Sequence, residues 1–137
     1  MFCFLVLSDV ARTSRGSFRQ LHNSTIKPGF PVPIKTSDPG VQKAARYGVY
    51  TYNNSSNDIF LFKESCINKA TVQIVRGLKY NLDVDICRTE CTKRKHPSLD
   101  RCHFQKHKKL RQTFRCYFEV WLIPWLQRVE VLVSHCQ

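Results

Sequence analysis

The sequence lacks the motifs on which most enzymes depend. It contains no nucleophile elbow of a hydrolase, no phosphate-binding glycine loop and no carboxylate pair placed for acid–base chemistry. Long apolar runs are missing as well, because Met1 to Leu7 is short and no other segment could span a membrane. We therefore expect neither an enzyme nor a membrane-spanning protein, and no cofactor or bound metal ion.

Acidic residues are also scarce. Ten Asp and Glu face 22 Lys and Arg, which gives a formal net charge of +12. Such an excess favours acidic partners, namely polyanions, membrane surfaces or acidic proteins, although it says nothing about the fold. The length of 137 residues predicts one domain with a single core.

Cysteine, by contrast, is abundant. Seven cysteines in a small basic chain indicate disulfides and an oxidising compartment. Three glycosylation sequons point the same way; they begin at Asn23, Asn53 and Asn54. Met1 to Leu7 has the apolar character of a secretory signal but lacks a basic start. We expect a secreted, endosomal or lysosomal protein whose residues 1–26 form a weak signal-like and flexible segment.

One convincing helix is predicted after residues 27–33, whose three prolines require an extended chain. Ser37 or Asp38 can cap this helix, and Pro39 suits its first turn. One helical face is apolar or small, which lets a sheet approach closely. That face comprises Val41, Ala44, Ala45, Gly48, Val49 and Tyr52. The polar stretch that starts at Asn53 is expected to end the helix.

A long hairpin is predicted next. Residues 60–74 are rich in β-branched and aromatic side chains, and residues 78–86 alternate strictly between apolar and polar. Arg76-Gly77 suits the turn, since Gly supplies the positive φ. The tip then exposes Gln73, Ile74 and Val75. An exposed apolar tip favours binding, and the alternative is a turn between core strands.

The remaining chain predicts two further strands. A polar, basic excursion of about residues 91–112 precedes a strand from Thr113, and a last strand carries Val129, Val131 and Val133. Pro124-Trp125 separates these strands, and the Trp125 ring either binds a partner or folds back onto the sheet. The order predicts an α+β domain with an antiparallel sheet packed on one helix. The expected core is Val41, Ala45, Val49, Tyr52, Leu78, Tyr80, Leu82, Val84, Phe118, Val120, Val129 and Val131.

Three separated motifs, in this order, resemble the type 2 cystatin family. They are Gly29, the Gln-x-Val-x-Gly pattern at Gln73, Val75 and Gly77, and Pro124-Trp125. The stretches Lys27-Pro28-Gly29-Phe30-Pro31 and Asp38-Pro39-Gly40-Val41 support the resemblance, as do Gly77-Leu78-Lys79-Tyr80 and residues 57–65. The resemblance covers residues 27–137, which would form the cystatin domain.

The resemblance implies a cystatin-like antiparallel sheet wrapped around one helix. It also implies reversible, tight-binding inhibition of papain-like cysteine proteases such as cathepsins. Three segments would together enter the protease cleft, and no catalytic residue is needed. We call this surface the wedge; it comprises Gly29, Gln73, Ile74, Val75, Arg76, Gly77, Pro124 and Trp125. The chain departs from the family pattern at Lys27, where cystatins usually place an apolar side chain in a protease subsite.

A second site is implied by the loop after the helix. Type 2 cystatins that block legumain, an asparaginyl protease, use an Asn there, and Ser56-Asn57-Asp58 matches that motif. Asn57 is the candidate legumain-binding residue. The alternative is that Asn here only ends the helix. A glycan on Asn53 or Asn54 would obstruct this site.

Cys3 lies in the signal-like segment, and the other six cysteines divide into two groups. The resemblance implies the two family disulfides Cys91–Cys102 and Cys116–Cys136. Cys66 and Cys87 lie on the two arms of the predicted hairpin, and a two-residue turn at Arg76-Gly77 places them opposite each other. We therefore predict a third, cross-strand disulfide between them, which a β-bulge in the first arm would prevent.

Two alternatives come from other classes. The pattern Cys87-x3-Cys91-x11-His103-x3-His107 approaches a Cys2His2 zinc finger, but Pro97 falls where its helix should form. We therefore expect no nucleic acid partner.

The basic region of residues 93–115 is either a solvated loop or a patch for polyanions or membrane surfaces. A non-inhibitory basic protein with the cystatin fold is the alternative function. The basic residues of this region are Lys93, Arg94, Lys95, Arg101, Lys106, Lys108, Lys109, Arg111 and Arg115.

Overall fold

The computed structural model describes residues 29–137. They form a five-stranded antiparallel sheet whose strand order follows the chain, with one helix packed against it. The elements are β1 (Val32–Pro33), α1 (Pro39–Ser55), β2 (Phe60–Ile74), β3 (Leu78–Thr92), β4 (Thr113–Ile123) and β5 (Arg128–Cys136). The predicted α+β class is therefore confirmed. Within residues 29–137 no helix is both long and apolar enough to cross a bilayer.

The start and the inner face of α1 follow the sequence closely. The Asp38 carboxylate accepts the Gly40 N–H at 2.8 Å, and Pro39 occupies the first turn. Ala44 and Ala45 are fully buried. A Cβ on Gly48 would lie 2.5 Å from the Phe118 ring. The small face therefore brings the helix into direct contact with β4.

The end of α1 differs from the prediction. The helix continues to Ser55 rather than stopping where the polar stretch begins. Asn53 is 4% exposed, because its side chain turns inward: its Nδ2 donates to the Phe62 carbonyl and its Oδ1 accepts the Phe62 N–H, both at 2.9 Å. These bonds satisfy the backbone of Phe62 at the helix–sheet contact, so Asn53 serves the core.

The core lies between α1 and the inner face of the sheet. Of the predicted core residues, Tyr52, Leu78, Val129 and Val131 are partly buried and the others are buried. Phe62, Ile86 and Leu99 are further residues of the core, each at most 1% exposed. Burying a side chain of this size contributes about 1.5–3 kcal/mol before the entropy cost of ordering the chain.

The register between β2 and β3 contradicts the predicted third disulfide, because it does not place Cys66 opposite Cys87. Ile74 faces Leu78, so the turn has three residues instead of two. A further shift between Ile67 and Lys69 moves the register once more. Cys66 therefore faces Asp85, while Cys87 faces Lys63 beyond another bulge. The predicted Cys66–Cys87 bond was wrong, and both remain thiols. The extra residue in the turn and the extra residue in the bulge between Ile67 and Lys69 each shift the cross-strand partner of Cys66 away from Cys87 by one position.

The two disulfides implied by the resemblance are present. Cys91 bonds to Cys102 and Cys116 bonds to Cys136. The first ties the end of β3 to the middle of the connection between β3 and β4, and the second joins the paired strands β4 and β5. The Cys91–Cys102 bond also removes a ligand from the zinc-finger pattern, which excludes that alternative.

Candidate functional site

Three segments meet at one end of the sheet. The first is Gly29, which precedes β1. The second is loop 1, residues 75–77, between β2 and β3. The third is loop 2, residues 124–127, a short turn between β4 and β5. Because Leu78 faces Leu122 across β3 and β4, loops 1 and 2 are neighbours. The structure therefore brings together all the residues predicted for the wedge.

Gly29 is fastened to the β2–β3 hairpin. The Gly29 N–H donates to the Ile74 carbonyl at 3.0 Å, and Gln73 Nε2 donates to the Gly29 carbonyl at 2.7 Å. Its φ of 89° lies in the region that favours glycine. Immediately afterwards Val32 pairs with Val72. Gly29 thus sets the direction in which the preceding chain leaves the hairpin.

Loop 1 has a tightly specified backbone. Arg76 has a φ of 37° and Gly77 a φ of 107°. The Val75 N–H donates to the Gly77 carbonyl at 3.1 Å. A Cβ on Gly77 would lie 2.5 Å from the Leu122 carbonyl, so the loop fits against β4 only with glycine there. Arg76 in the left-handed region shows that its surroundings hold the loop in one conformation.

Trp121 is a site residue that the sequence reasoning missed. Its indole N–H lies 3.2 Å from the Val75 carbonyl and 3.0 Å from the Arg76 carbonyl. The ring thereby ties loop 1 to β4. One signal was available: Trp121 falls on the outward side of β4, out of phase with Phe118 and Val120. A large aromatic residue there has no place in the core.

The tip of the wedge is apolar and exposed. Trp125 is 64% exposed and Leu126 is 52% exposed, while Ile74 and Phe30 are also exposed. The alternative in which Trp125 folds back onto the sheet was therefore wrong. Phe30 and Leu126 are further exposed apolar residues that the sequence reasoning did not assign. Several exposed apolar side chains at one end of a sheet are typical of a protein-binding surface.

A polar cluster lies behind the loops on the outer face of the sheet. Tyr117 donates its hydroxyl to Glu119 at 2.6 Å, and Lys79 Nζ lies 3.1 Å from the same carboxylate. The hydrogen bond from Tyr117, together with Lys79, lowers the pKa of Glu119 below its ordinary value. Partial burial and the bond to Glu119 raise the pKa of Tyr117 to about 12. These contacts join β3 to β4 beneath both loops.

The loop that carries Asn57 lies at the other end of β2. Asn57 is exposed, but its neighbours are fixed. The Asp58 N–H donates to Ser56 Oγ at 3.0 Å, and the Asp58 carboxylate pairs with Arg88 at 2.6 Å. Asn57 is thus presented on a rigid turn and is remote from the wedge.

The glycosylation candidates have different surroundings. Asn54 is exposed, whereas the buried Asn53 side chain has no room for a glycan in this fold. Asn23 lies outside the described residues, as do the signal-like segment and Lys27.

The fold and the wedge together define a cystatin-type domain. A family model described as the cystatin domain matches residues 29–124. The chain therefore belongs to the cystatin family, whose general function is the inhibition of cysteine proteases. Cystatins are inhibitors and not enzymes.

Within the cystatin family, the chain is similar to cystatin-F of two organisms. The chain is 56% identical to human cystatin-F over 135 residues, covering 98% of this chain and 93% of the relative. It is 57% identical to mouse cystatin-F over 114 residues, covering 83% and 79% of the two chains. The crystal structure of dimeric human cystatin F matches with a TM-score of 0.79 at 59% identity, covering 84% of this chain and 91% of that one.

Proposed function

We propose that this chain is a reversible, tight-binding inhibitor of papain-like cysteine proteases, such as cathepsins, and that the wedge occupies the protease cleft. The observation that carries the proposal is the convergence of Gly29, loop 1 and loop 2 at one end of the sheet. Direct hydrogen bonds link Gly29 to the hairpin, and Trp121 links loop 1 to β4.

The physical basis of inhibition is a rigid apolar surface. Gly77 and Trp121 fix loop 1 before binding, so little conformational entropy is lost on association. Loop 1 enters near the catalytic cysteine with its Val75 and Arg76 carbonyls held by the Trp121 indole, which prevents the backbone from taking a cleavable extended form. The exposed Trp125 ring packs on an apolar wall of the enzyme.

The test is titration of papain and a panel of cathepsins with the oxidised chain and with Trp125→Ala. Truncation of a central exposed aromatic at an interface costs about 2–4 kcal/mol. We expect the inhibition constant to rise by about 30-fold or more. The matched control is Leu132→Ala, since Leu132 is 49% exposed but lies on β5 away from the loops. Equal potency of all three proteins would contradict the proposal.

A truncated chain beginning at Phe30 tests the contribution of Gly29 to the wedge. It loses the Gly29 hydrogen bonds to Ile74 and Gln73. We expect weaker inhibition of every protease that Trp125→Ala affects. If inhibition is absent even for the intact chain with both disulfides formed, the cystatin fold is retained without its inhibitory surface.

Legumain inhibition is a second proposed function, and the exposed Asn57 on its fixed turn favours it. We expect Asn57→Ala to abolish legumain inhibition and to leave papain inhibition unchanged, because the two surfaces lie at opposite ends of β2. Asn54→Ala is the matched control in the neighbouring exposed position. Unglycosylated protein removes the obstruction that a glycan on Asn54 would cause. Loss of legumain inhibition in both variants, or in neither, would reject Asn57 as the determinant.

The proposed site of action is outside the cytosol, in the secretory or the endosomal and lysosomal compartments. Two disulfides and the exposed sequon at Asn54 support this location.

A further inference from the structure

The excursion between β3 and β4 carries an unusual concentration of positive charge. We call residues 93–111 the basic excursion. It holds eight lysine and arginine residues and a single acidic residue, Asp100. All the lysine and arginine side chains except Lys93 are exposed. This density greatly exceeds that of the rest of the described surface.

The charges of the basic excursion are not balanced by carboxylates. Asp100 pairs with Arg46 of the helix rather than with its own neighbours. Lys93 donates to the Ser56 carbonyl, and Arg111 donates to the Gln105 and Lys106 carbonyls. Carbonyl acceptors leave the full positive charge in place. Within residues 29–137, none of the excursion's lysines and arginines forms an ion pair. Arg115, which the sequence grouped with them, pairs with Asp83 and is excluded.

The excursion is a supported surface rather than a loose loop. The Cys91–Cys102 disulfide ties the middle of the excursion to the end of β3, and Leu99 is 1% exposed in the core. Phe104 bridges to Thr89 on β3. Arg88 donates to the Leu110 carbonyl at 2.6 Å and so holds the far side of the excursion. The charges are therefore positioned before a ligand arrives, which lowers the entropy cost of binding.

The excursion lies at the opposite end of the sheet from the wedge. β3 starts beside loop 1 at Leu78 and ends at Thr92, where the excursion begins. Because the excursion folds back beside Arg88 and Thr89, the separation is set by the stretch from Leu78 to Arg88, which spans about 33 Å at the usual strand rise. That separation exceeds the Debye length of about 8 Å at physiological ionic strength several times. A ligand on the excursion therefore leaves the wedge accessible and electrostatically unaffected.

We propose that the basic excursion binds sulfated polysaccharide chains, and that it does so while the wedge remains free to bind a protease. Disulfides place the protein outside the cytosol, away from the anionic cytoplasmic leaflet. A membrane site also needs an apolar face to insert. The excursion offers only Phe104 and Leu110, each 39% exposed, and Lys63 lies over the Phe104 ring.

The test is binding of the oxidised chain to heparin over a range of salt concentrations. Lys108→Gln/Lys109→Gln removes two charges from the excursion, and Lys43→Gln/Lys69→Gln removes two exposed charges elsewhere. Each lysine that contacts a polyanion contributes about one to the salt slope. We expect the first double variant to lose about two from the slope and to bind about tenfold more weakly. The control should stay within about twofold of the unmodified chain.

Three results would overturn the proposed binding of sulfated chains. Equal weakening in both double variants would show that only net charge matters. Equal binding of desulfated heparin would remove the sulfate requirement. Capture by vesicles rich in phosphatidylserine, at a salt concentration that releases heparin, would identify a membrane surface instead.

If papain inhibition is observed, saturating heparin should leave the inhibition constant unchanged, and loss of inhibition would contradict the separation of the two ends. The heparin comparison does not depend on inhibition.

Discussion

At the residue scale, loop 1 owes its shape to two side chains with different roles. Two features require glycine at position 77. Its φ is positive, and a Cβ there would lie 2.5 Å from the Leu122 carbonyl. Trp121 then ties the loop from outside through its indole N–H. Gly77 belongs to a family motif visible in the sequence. Trp121 belongs to no such motif, because its role depends on which backbone carbonyls lie near its indole N–H in the folded protein.

Trp121→Phe tests this role. The substitution keeps an aromatic ring but removes the N–H that serves the Val75 and Arg76 carbonyls. A lost hydrogen bond of this kind costs about 1 kcal/mol, so we expect papain inhibition to weaken by about fivefold, through a looser loop 1. Thr113→Val, which removes a polar hydrogen at the far end of β4, is the control for general strand effects. An unchanged inhibition constant for Trp121→Phe, measured by steady-state titration, would exclude Trp121 as a positioning residue.

At the element scale, the strands and the helix were predictable because their periodicities are clear. The alternation over residues 78–86 correctly identified the buried side of β3, including Leu82 and Val84. The register of β2 against β3 was not predictable. The bulges near Cys66 depend on how the long strand bends around the helix. No local residue signal marks such a bend, so the predicted Cys66–Cys87 bond failed while the strands themselves were right.

Contacts between distant segments were also not predictable at the site. Motifs and order sufficed to group Gly29, loop 1 and loop 2. The inward turn of Asn53 could not be foreseen, because an Asn near a helix end is usually exposed. Its two bonds to Phe62 form only when β2 returns beneath the helix.

The pairing of β3 with β4 predicts a specific acid sensitivity. The folded-state pKa of Glu119 is lowered from 4.5, chiefly by the Tyr117 hydrogen bond. A carboxyl group with a lowered folded pKa adds stability above its unfolded pKa and loses it as the pH falls through the folded value. We expect the free energy of unfolding to fall below about pH 4.5, and to fall less in Glu119→Gln.

Urea denaturation at pH 7 and at successive steps below pH 4.5 measures this difference. Glu130→Gln, on β5, removes a carboxylate of the adjacent strand that pairs with Arg128 and serves as the control. Parallel pH profiles for the unmodified chain and Glu119→Gln would show that the cluster contributes nothing to acid sensitivity.

At the scale of the whole molecule, the sheet separates two surfaces of opposite character. One end presents an exposed apolar tip around Trp125, and the other presents the positive charge of the basic excursion. The core between α1 and the sheet holds both at a fixed distance. The chain thus keeps an exposed apolar tip apart from most of its excess positive charge.

We predict that the wedge blocks the protease cleft reversibly and without being cut. Its most direct test is titration of active papain with the oxidised chain, followed by dilution and by mass measurement of the inhibitor. We predict an equimolar end point, recovery of papain activity on dilution, and an intact chain. Uninhibited papain, or inhibition accompanied by cleavage within loop 1, would contradict the claim.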